Sequence, residues 1–337
     1  MVNNPDTLEP ADRRVVAALQ VNPRAGVGEI ARILGEHERT VARRVQRLIS
    51  TGAIRPTATY DAMRCQLGNS VSLQLDVAPG ALEKTAQSLA EHPELRTVLA
   101  TCGRSSTLWC EMLLPYGSRL HTLMAEGIPS LPDITRIEAH LTLKTFTTVA
   151  SWHAPLLTSD ERRQLLASVV QPLPHPANRY ELTPTDRRVA DALAEDARIS
   201  LTDLSRRLGF SVATAGRRVS SLLERQIVQL RTEIEPALLG RPFEAQLHLK
   251  VSPVGLEQVG AGLADCPEVR YCAAVTGTAN LLAQVCVESE ADLYRFLGER
   301  LGALPHITEV ATELIVHAFK RGSVLKDGTH SAHPNQP

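Results

Sequence analysis

The chain carries the same text twice, and this repetition constrains its fold more than any other feature. "TVARRVQRL" from Thr40 and "TAGRRVSSL" from Thr214 share a threonine, two arginines, a valine and a leucine at one spacing. "LEPADRRVVAAL" from Leu8 matches "LTPTDRRVADAL" from Leu182 at the same offset. Because a repeat of this length is a folding unit in its own right, we predict two copies of one unit. Copy one spans roughly residues 8–150, and copy two spans roughly 182–321.

The first fifty residues of each copy have helical hydrophobic spacing, which predicts three short helices. Asp12 and Asp186 fall where the first helix begins, where an acidic residue suits the positive helix end. Gly35 and Gly209 fall where the second helix must end and turn sharply, as in a helix-turn-helix. Ser211 is predicted to cap the third helix of copy two. The alternating text that follows in each copy predicts a strand or small wing.

The remainder of each copy reads as strand, helix, two strands, helix and strand. That order predicts a four-stranded antiparallel sheet with two helices on one face, an α/β plait. The second sheet of the same chain is the simplest cover for the free face, so we expect the two plaits to pack on each other. In copy one the predicted elements are approximately 71–77, 82–91, 97–101, 108–114, 118–126 and 135–146.

The predicted fold class is therefore α+β, a tandem duplication of a winged helix-turn-helix domain plus a ferredoxin-like α/β plait. The "PLPHP" stretch marks a linker between the copies, with one short helix after Ser159. The polar text after Arg321 predicts a disordered tail. The predicted boundaries are 1–60 and 182–236 for the helix-turn-helix domains, 67–150 and 239–321 for the plaits, 151–181 for the linker and 322–337 for the tail.

The third helix of each copy carries arginines on the face that its apolar residues leave outward. In copy one, Val41, Val45 and Leu48 lie at i, i+4 and i+7 and define the inward face. An arginine pairs bidentately with guanine edges or with phosphate, so an exposed Thr-x-x-Arg-Arg on this helix suits the DNA major groove. The predicted DNA-binding residues are Arg39, Thr40, Arg43, Arg44 and Arg47 in copy one, and Ser211, Thr214, Arg217, Arg218 and Ser221 in copy two.

Charge is local rather than global. The whole chain holds 36 basic and 37 acidic side chains. Residues 8–55 hold nine arginines against five acidic residues, and residues 182–231 hold nine against six. Because DNA affinity rests largely on neutralised phosphates, these two basic segments favour double-stranded DNA as the partner.

Other classes of site have little support in the sequence. The six cysteines form no C-x-x-C pair, the histidines are dispersed without metal-ligand spacing, and no glycine-rich phosphate loop occurs, so we expect no metal site and no cofactor. The amino-terminal text is polar, and no stretch approaches the length of a spanning helix. We therefore expect a cytoplasmic protein with no membrane partner.

The repeated text resembles the leucine-responsive regulator and AsnC (Lrp/AsnC) family of transcription regulators. The match runs from Asp12 through Ile54, and copy two matches with Val228 in place of the final isoleucine. Family members have one winged helix-turn-helix and one ligand-sensing plait, the RAM domain, through which they dimerise. The resemblance implies a sequence-specific DNA-binding regulator in which two family units are fused. It further implies an internal pseudo-dimer, an amino-acid or other small-molecule effector, and a homo-oligomer, at least a homodimer, formed through the plaits.

In this family a glycine-x-x-aspartate turn between the second and third plait strands lines the effector site at a subunit interface. The corresponding texts here are "CGRSST" and "TGTANL", in which the aspartate is replaced by serine and asparagine. A hairpin turn that binds no ligand is the equally weighted alternative. The effector-binding residues implied by the resemblance are Gly103, Ser105, Ser106, Gly277, Ala279, Asn280 and Thr312.

Two alternatives compete with the regulator. Siroheme decarboxylases of haem biosynthesis resemble the same architecture and also occur as fused pairs, with histidine and arginine near the third plait strand. The corresponding text here, "RTVLATCGR" and "RYCAAVTGT", contains no histidine, and we predict that the chain is not an enzyme. The other alternative, a scaffold whose helix-turn-helix units only contact proteins, leaves the arginines unexplained.

Overall fold

The structure, a computed structural model, describes residues 7–103, 107–115, 133–173, 180–328 and 330–331. These residues fall into two compact units, and each unit draws on both copies. The helical unit comprises Leu8–Leu67 and His153–Ile234, and the sheet unit comprises Gly68–Trp152 and the chain from Glu235 onward. The domain boundaries inferred above remain a prediction. Helix-turn-helix segments pair with each other in one unit, and plaits merge with each other in the other.

The elements follow the order expected from the repeat. Copy one contains α1 Pro10–Val21, α2 Val27–Leu34, α3 Glu38–Ser50, β1 Arg55–Tyr60, β2 Gly68–Val77, α4 Leu82–Glu91, β3 Leu95–Cys102, β4 Thr107–Pro115 and β5 Ile134–Thr147. The connecting segment contains α5 Ser159–Leu166. Copy two contains α6 Pro184–Glu195, α7 Leu201–Leu208, α8 Val212–Glu224, β6 Val228–Glu233, β7 Phe243–Val251, α9 Leu256–Ala264, β8 Val269–Val275, β9 Leu281–Val287, α10 Glu290–Arg295 and β10 Ile307–Arg321, followed by β11 Val324–Asp327 and β12 His330–Ser331. The helix predicted over 118–126 lies outside the described residues.

The turns of both helix-turn-helix segments form as their glycines predict. Gly35 ends α2 at φ +70°, and Gly209 ends α7 at φ +77°. This left-handed conformation strains any residue with a Cβ, which is why glycine occurs there. Ser211 caps α8 by accepting a hydrogen bond from the backbone N–H of Thr214, whereas His37 makes no side-chain cap at α3. The predicted cap is confirmed.

The two helix-turn-helix segments exchange their wing strands. β1 and β6 pair antiparallel over six residues, from Arg55 opposite Glu233 to Tyr60 opposite Val228. Ala58 of β1 lies in the apolar core of copy two. The hydroxyl of Thr232 in turn donates to the carbonyl of Leu19 in α1. Each copy therefore completes the core of the other, and the helical unit is one folding body.

The connecting segment packs on copy one. Its helix α5 begins with a capping box in which Thr158 and Glu161 satisfy each other's backbone N–H groups. Leu165 of α5 is fully buried, and Glu161 forms an ion pair with Arg14 of α1. The amide of Asn22, just after α1, donates to the hydroxyl of Ser168 at 2.9 Å. The single short helix expected after Ser159 is present.

The two plait sheets join edge to edge rather than stacking as two separate layers. The strand order is β12-β11-β10-β3-β4-β2-β5-β8-β9-β7, with β7 also pairing β10, so eight strands close into a ring. The last strand of each plait is long, and it continues past its own sheet to pair with the second strand of the other plait. This pairing removes the open edges that each sheet would otherwise expose. The helix-facing sides of the sheet carry two separate apolar cores, one in each copy.

The expectation of a disordered tail was wrong for the residues just after Arg321. Gly322 and Ser323 have φ of +51° and +72°, the left-handed pair that a two-residue hairpin turn requires. The chain reverses there, so that Val324 lies opposite Arg321 and is buried. Lys326 of β11 then forms an ion pair with Glu235 at 3.0 Å. The polar composition of this segment favoured a tail. The only local signal for the hairpin is the dipeptide Gly322-Ser323, because no hydrophobic run marks the strands.

Candidate functional site

The third helices α3 and α8 present free cationic side chains on their outer faces. Arg39 and Arg43 of α3 are exposed, as is Arg217 of α8. Within the described part of the chain, none of the three has a hydrogen bond or an ion pair. These side chains are available to a polyanion without breaking a contact inside the protein.

Arg44 and Arg47 are tied to the first helix of copy one. Arg44 Nη1 lies 2.7 Å from Asp12 Oδ1, and Arg47 Nη2 lies 2.5 Å from Asp12 Oδ2. Burial alone would raise the pKa of Asp12, but the hydrogen bonds and charges of the two arginines outweigh it and hold that pKa below its ordinary value. Asp12 therefore anchors the third helix, α3, a task beyond the helix-end charge that the sequence suggested.

Copy two has the same anchor with one arginine fewer. Arg218 Nη1 lies 2.8 Å from Asp186 Oδ1. The other oxygen of Asp186 accepts from the hydroxyls of Thr183 at 2.7 Å and Tyr180 at 3.2 Å. The sequence placed Arg44 and Arg218 among the outward arginines, but both are half-buried and paired with a buried carboxylate. Helical spacing within one segment could not show these ion pairs, because the carboxylate comes from another helix.

The hydroxyl side chains of the predicted interface already have partners in copy two. Ser211 donates to the hydroxyl of Thr214 at 3.0 Å, besides capping the helix. Ser221 accepts from Arg225 Nε at 3.3 Å. Thr40 in copy one is half-buried at the start of α3. The hydroxyl groups are thus mostly engaged within their own helices. The main free donors on this surface are Arg39, Arg43 and Arg217.

A reciprocal pair of arginines holds the two helix-turn-helix segments together. Arg24 of copy one donates to the carbonyls of Ala197 and Ile199, at 2.7 and 3.0 Å. Arg198, its equivalent in copy two, donates to the carbonyls of Pro23 and Ala25, at 2.6 and 3.1 Å. Burial lowers the pKa of both guanidinium groups. Together with the paired wing strands, this clamp joins the segments that carry α3 and α8 within the helical unit.

The first candidate effector turn lies against the last strand of copy two. A Cβ built on Gly103 would be 3.3 Å from the carbonyl oxygen of Thr312 and 3.2 Å from Cγ of Glu313. The structure thus brings together Gly103 and Thr312, two residues singled out by sequence. It adds Glu313, which the sequence did not suggest. Ser105 and Ser106 lie outside the described residues.

The second candidate turn is closed by the protein's own side chains. Gly277 has φ +110°, and a Cβ there would lie 2.3 Å from His140 Nδ1, which contacts the carbonyl of Thr276 at 2.8 Å. The amide of Asn280 bonds both the N–H and the carbonyl of Val251, each at 2.8 Å. The side chain of Asn280, just before β9, is therefore occupied in binding the end of β7. Ala279 is half-buried in the same turn.

His140 and Glu313 were not among the site residues predicted from the sequence, although strand alternation could have identified them. Both lie on long last strands, β5 and β10, and point away from the helix-covered apolar cores. The two positions are equivalent, since His140 lies opposite Ser72 of β2, and Glu313 lies opposite Gln246 in β7, the corresponding strand of copy two. The glycine-x-x-aspartate turn lies between other strands, so that motif points to neither residue.

Among the residues that the structure describes, no group of three or more His, Cys, Asp or Glu side chains is arranged to hold a metal ion. In the same residues, every helix is too short or too polar to cross a bilayer.

Comparison with known proteins agrees with the repeat. A model of the AsnC-type helix-turn-helix domain matches residues 10–49 and again 182–223, and a model of the Lrp/AsnC ligand binding domain matches residues 244–325. An HTH-type transcriptional regulator of Pyrococcus furiosus is 30% identical over 138 residues, which make up 41% of this chain and 93% of that protein. The proline dehydrogenase transcriptional activator of Rhodobacter capsulatus is 28% identical over 138 residues, 40% of this chain and 90% of that protein.

Among solved structures, the siroheme decarboxylase NirDL matches the chain almost from end to end. Its TM-score is 0.58 at 15% identity, and the match covers 95% of this chain and 94% of that one. The same enzyme in complex with an iron-uroporphyrin III analogue matches with a TM-score of 0.56 at 17% identity, over 88% and 86% of the two chains. At such identity the likeness establishes a shared fold, including the tandem arrangement.

Proposed function

Because the chain belongs to the Lrp/AsnC family of DNA-binding transcription regulators, we propose that it binds double-stranded DNA sequence-specifically through α3 and α8 together. One observation carries the proposal. Arg43 and Arg217 are free cations at equivalent positions of two third helices that the Arg24 and Arg198 clamp holds in one unit. Two recognition helices at a fixed separation suit two half-sites in successive major grooves.

The arginines divide into contacting and positioning groups. Arg39, Arg43 and Arg217 are the proposed base or phosphate contacts, since they have no competing partner in the described chain. Arg44 and Arg218 orient their helices through Asp12 and Asp186. Arg47 is more than half exposed although it is paired with Asp12, so it can also reach a phosphate. Thr40, Thr214, Ser211 and Ser221 border this surface and are proposed as secondary contacts.

The test uses genomic fragments selected by the purified protein and compares Arg43→Ala combined with Arg217→Ala against the parent chain. We expect the double variant to lose at least about tenfold in affinity and to show a shallower salt dependence, because each lost phosphate contact removes about one unit of slope. Arg163→Ala is the matched control, since Arg163 is exposed on α5 and paired with Asp160. If the double variant binds as tightly as that control, the groove assignment fails.

A small-molecule effector bound to the sheet unit is the second part of the proposal. The contact of Gly103 with Thr312 supports the first turn as the effector position, and the bonds already made by Asn280 count against the second. A hairpin turn without a ligand remains the alternative at both. Fragment selection repeated with and without a panel of amino acids tests this part, because an effector must change which fragments are retained or how tightly.

We also propose that the protein self-associates through the sheet unit, at least as a homodimer. The resemblance to family members that dimerise through this domain supports the proposal, and Val254 and Tyr294 of this unit are large exposed side chains, at 82% and 80%. Light scattering gives the molar mass directly, and a single-chain mass at all concentrations would contradict the proposal.

The enzyme alternative is favoured by one observation, the nearly end-to-end match to siroheme decarboxylase. That match concerns the fold, whereas the relatives that match at 28% and 30% identity are transcription regulators. We therefore expect no loss of carbon dioxide when the protein is incubated with siroheme. Turnover that depends on His140 or His248 would favour the enzyme instead.

A further inference from the structure

The two third helices differ at the second residue of the helix. This residue is Arg39 in α3 and Ala213 in α8, and both side chains are exposed. Four residues later the two helices agree, because Arg43 and Arg217 occupy equivalent positions and are exposed as well. One position of the repeat thus carries a long cation in copy one and a single methyl group in copy two.

This position lies on the face of each helix that points away from the apolar core. Arg39 precedes Arg43 by four residues, and Ala213 precedes Arg217 by four, so each pair shares one side of its helix. The buried residues of the two helices lie on the opposite side, and they are Val41, Val45, Leu48, Ala215, Val219 and Leu222. Because residues near the amino end of such a helix reach the base edges of the major groove, the position faces a base pair when the helix enters the groove.

The first residue of α3 is engaged with a neighbouring helix, whereas its equivalent in α8 is not. The carboxylate of Glu38 approaches the first turn of α2, since a Cβ built on Gly28 would lie 3.3 Å from it. No side chain caps α2, so an acidic group suits its positive end. In copy two, Ser200 caps α7, and the equivalent of Glu38 is Val212, which is 46% exposed. The first turn of α8 therefore presents apolar surface, while α3 presents the charge of Arg39.

A guanidinium group and a methyl group select different bases. Arginine donates two hydrogen bonds to O6 and N7 of guanine, whereas the methyl group of alanine contacts the C5 methyl group of thymine. Alanine has no donor for a guanine edge, so a guanine enclosed against it would lose its hydrogen bonds to water without replacement.

Resting on the proposed DNA binding through α3 and α8, we propose that the two half-sites differ at one defined base pair. Arg39 selects a guanine in the half-site bound by α3, and Ala213 selects a thymine at the equivalent position of the half-site bound by α8. The equivalent arginines Arg43 and Arg217 keep the neighbouring contact alike in both half-sites. The operator is therefore an imperfect palindrome whose orientation the chain recognises.

Selection of randomised duplex DNA by the full-length protein tests this assignment. The parent chain is expected to select a guanine in one half-site and a thymine at the equivalent position of the other. Arg39→Ala should lose a preference of about tenfold for that guanine alone, and Ala213→Arg should replace the thymine by guanine with a similar preference, as one bidentate contact discriminates. Arg163→Ala is the matched control, because Arg163 is exposed on α5 and paired with Asp160, and it should select the site of the parent.

A second measurement isolates the methyl group of the thymine. Deoxyuridine at this position removes only the C5 methyl group, and the affinity of the parent should fall by about fourfold, the loss expected for one buried methyl group. Ala213→Gly should bind the thymine and deoxyuridine sites equally. The same replacement in the flanking duplex serves as the control and should leave the affinity of the parent unchanged.

The outcomes separate this inference from the proposed function. A selected site with the same base at the equivalent position of both half-sites would overturn the inference and leave the function standing. An unchanged base preference in Ala213→Arg, or a parent chain insensitive to deoxyuridine, would do the same. If the parent selects no sequence above background, the proposed function fails and the inference fails with it.

Discussion

The two copies use one buried aspartate in two ways. In copy one, both oxygens of Asp12 pair with arginines of the third helix, Arg44 and Arg47. In copy two, Asp186 holds only Arg218, and hydroxyls from the preceding segment occupy its second oxygen. In both copies, therefore, a buried carboxylate next to the third helix has hydrogen-bond partners on both oxygens, although the partners differ. The arginine at position 47 is therefore free to vary, and copy two has Ser221 in its place.

The effector turns differ in a similar manner. Copy one presents Gly103 to a carboxylate, Glu313, while copy two presents Gly277 to an imidazole, His140. The two positions are equivalent by strand pairing, but one creates an acidic environment and the other closes the turn with a hydrogen bond.

The largest expected effect comes from removing the shared aspartates. Asp12→Ala leaves two arginines without their carboxylate, and Asp186→Ala leaves one, so both variants should lose about 3 kcal/mol of unfolding free energy, with the larger loss in copy one. Denaturant unfolding followed by circular dichroism measures this. Asp160→Ala, which removes an exposed ion pair with Arg163 on α5, should cost less than about 1 kcal/mol. Equal, small losses for both aspartates would mean that the anchors are not what holds the third helices.

The next largest effect is expected from replacing the glycines of the two turns, which should differ in how much stability they lose. Gly277→Ala combines an unfavourable φ of +110° with a Cβ only 2.3 Å from His140 Nδ1, and we expect a loss of about 2 kcal/mol or more. Gly103→Ala meets its neighbours at 3.2 Å, a contact that a small shift relieves. Adding His140→Ala to Gly277→Ala should recover part of the loss, as a thermal melt would reveal. No recovery would place the strain in the backbone alone.

Acid should weaken the packing of the connecting segment, which contacts copy one. Burial, aided by the charge of Arg162, lowers the pKa of His153 to about 4, while the unfolded chain has the ordinary value near 6.5. Because the unfolded state then binds the proton first, stability falls as pH decreases from about 6.5 to about 4 and is unaffected above that window. His153→Phe should flatten this part of the pH profile. An unchanged slope in the variant would assign the acid sensitivity to other groups.

The smallest effects concern the caps of the third helices. Ser211→Ala should cost about 1 kcal/mol, because it leaves an N–H at the start of α8 without its acceptor. The reverse change in copy one, His37→Ser, should add up to about 1 kcal/mol by supplying the missing cap at α3. Denaturation midpoints measure both changes. If His37→Ser destabilises the protein, the imidazole has a role other than capping.

Local signals in the sequence predicted the local structure well. Hydrophobic spacing and the two turn glycines, Gly35 and Gly209, located the helix-turn-helix segments, and alternation located the plait strands. The closure of the sheet was not accessible in this way, because the pairing of β5 with β8 and of β10 with β3 joins residues far apart in the chain. The hairpin at Gly322 and Ser323 was missed for a different reason, since its one local signal is a Gly-Ser dipeptide within polar text that also suits a tail.

The candidate sites followed the same division. Helical periodicity identified the exposed Arg43 and Arg217, but it could not show that Arg44 and Arg218 are paired with carboxylates of another helix. Family resemblance directed attention to Gly103 and Gly277. It passed over Glu313 and His140, which approach those turns from distant strands. Residues brought together by long-range pairing leave no mark in the spacing of either segment.

The central claim is that one chain reads two half-sites with two different third helices. Footprinting on a selected promoter fragment tests it most directly, with Arg43→Ala and Arg217→Ala examined separately. The account predicts that each variant loses protection at one half-site, at positions that differ between the two variants, while the other half-site stays protected at higher protein concentration. Unchanged protection in both variants, or loss at identical positions, would contradict it.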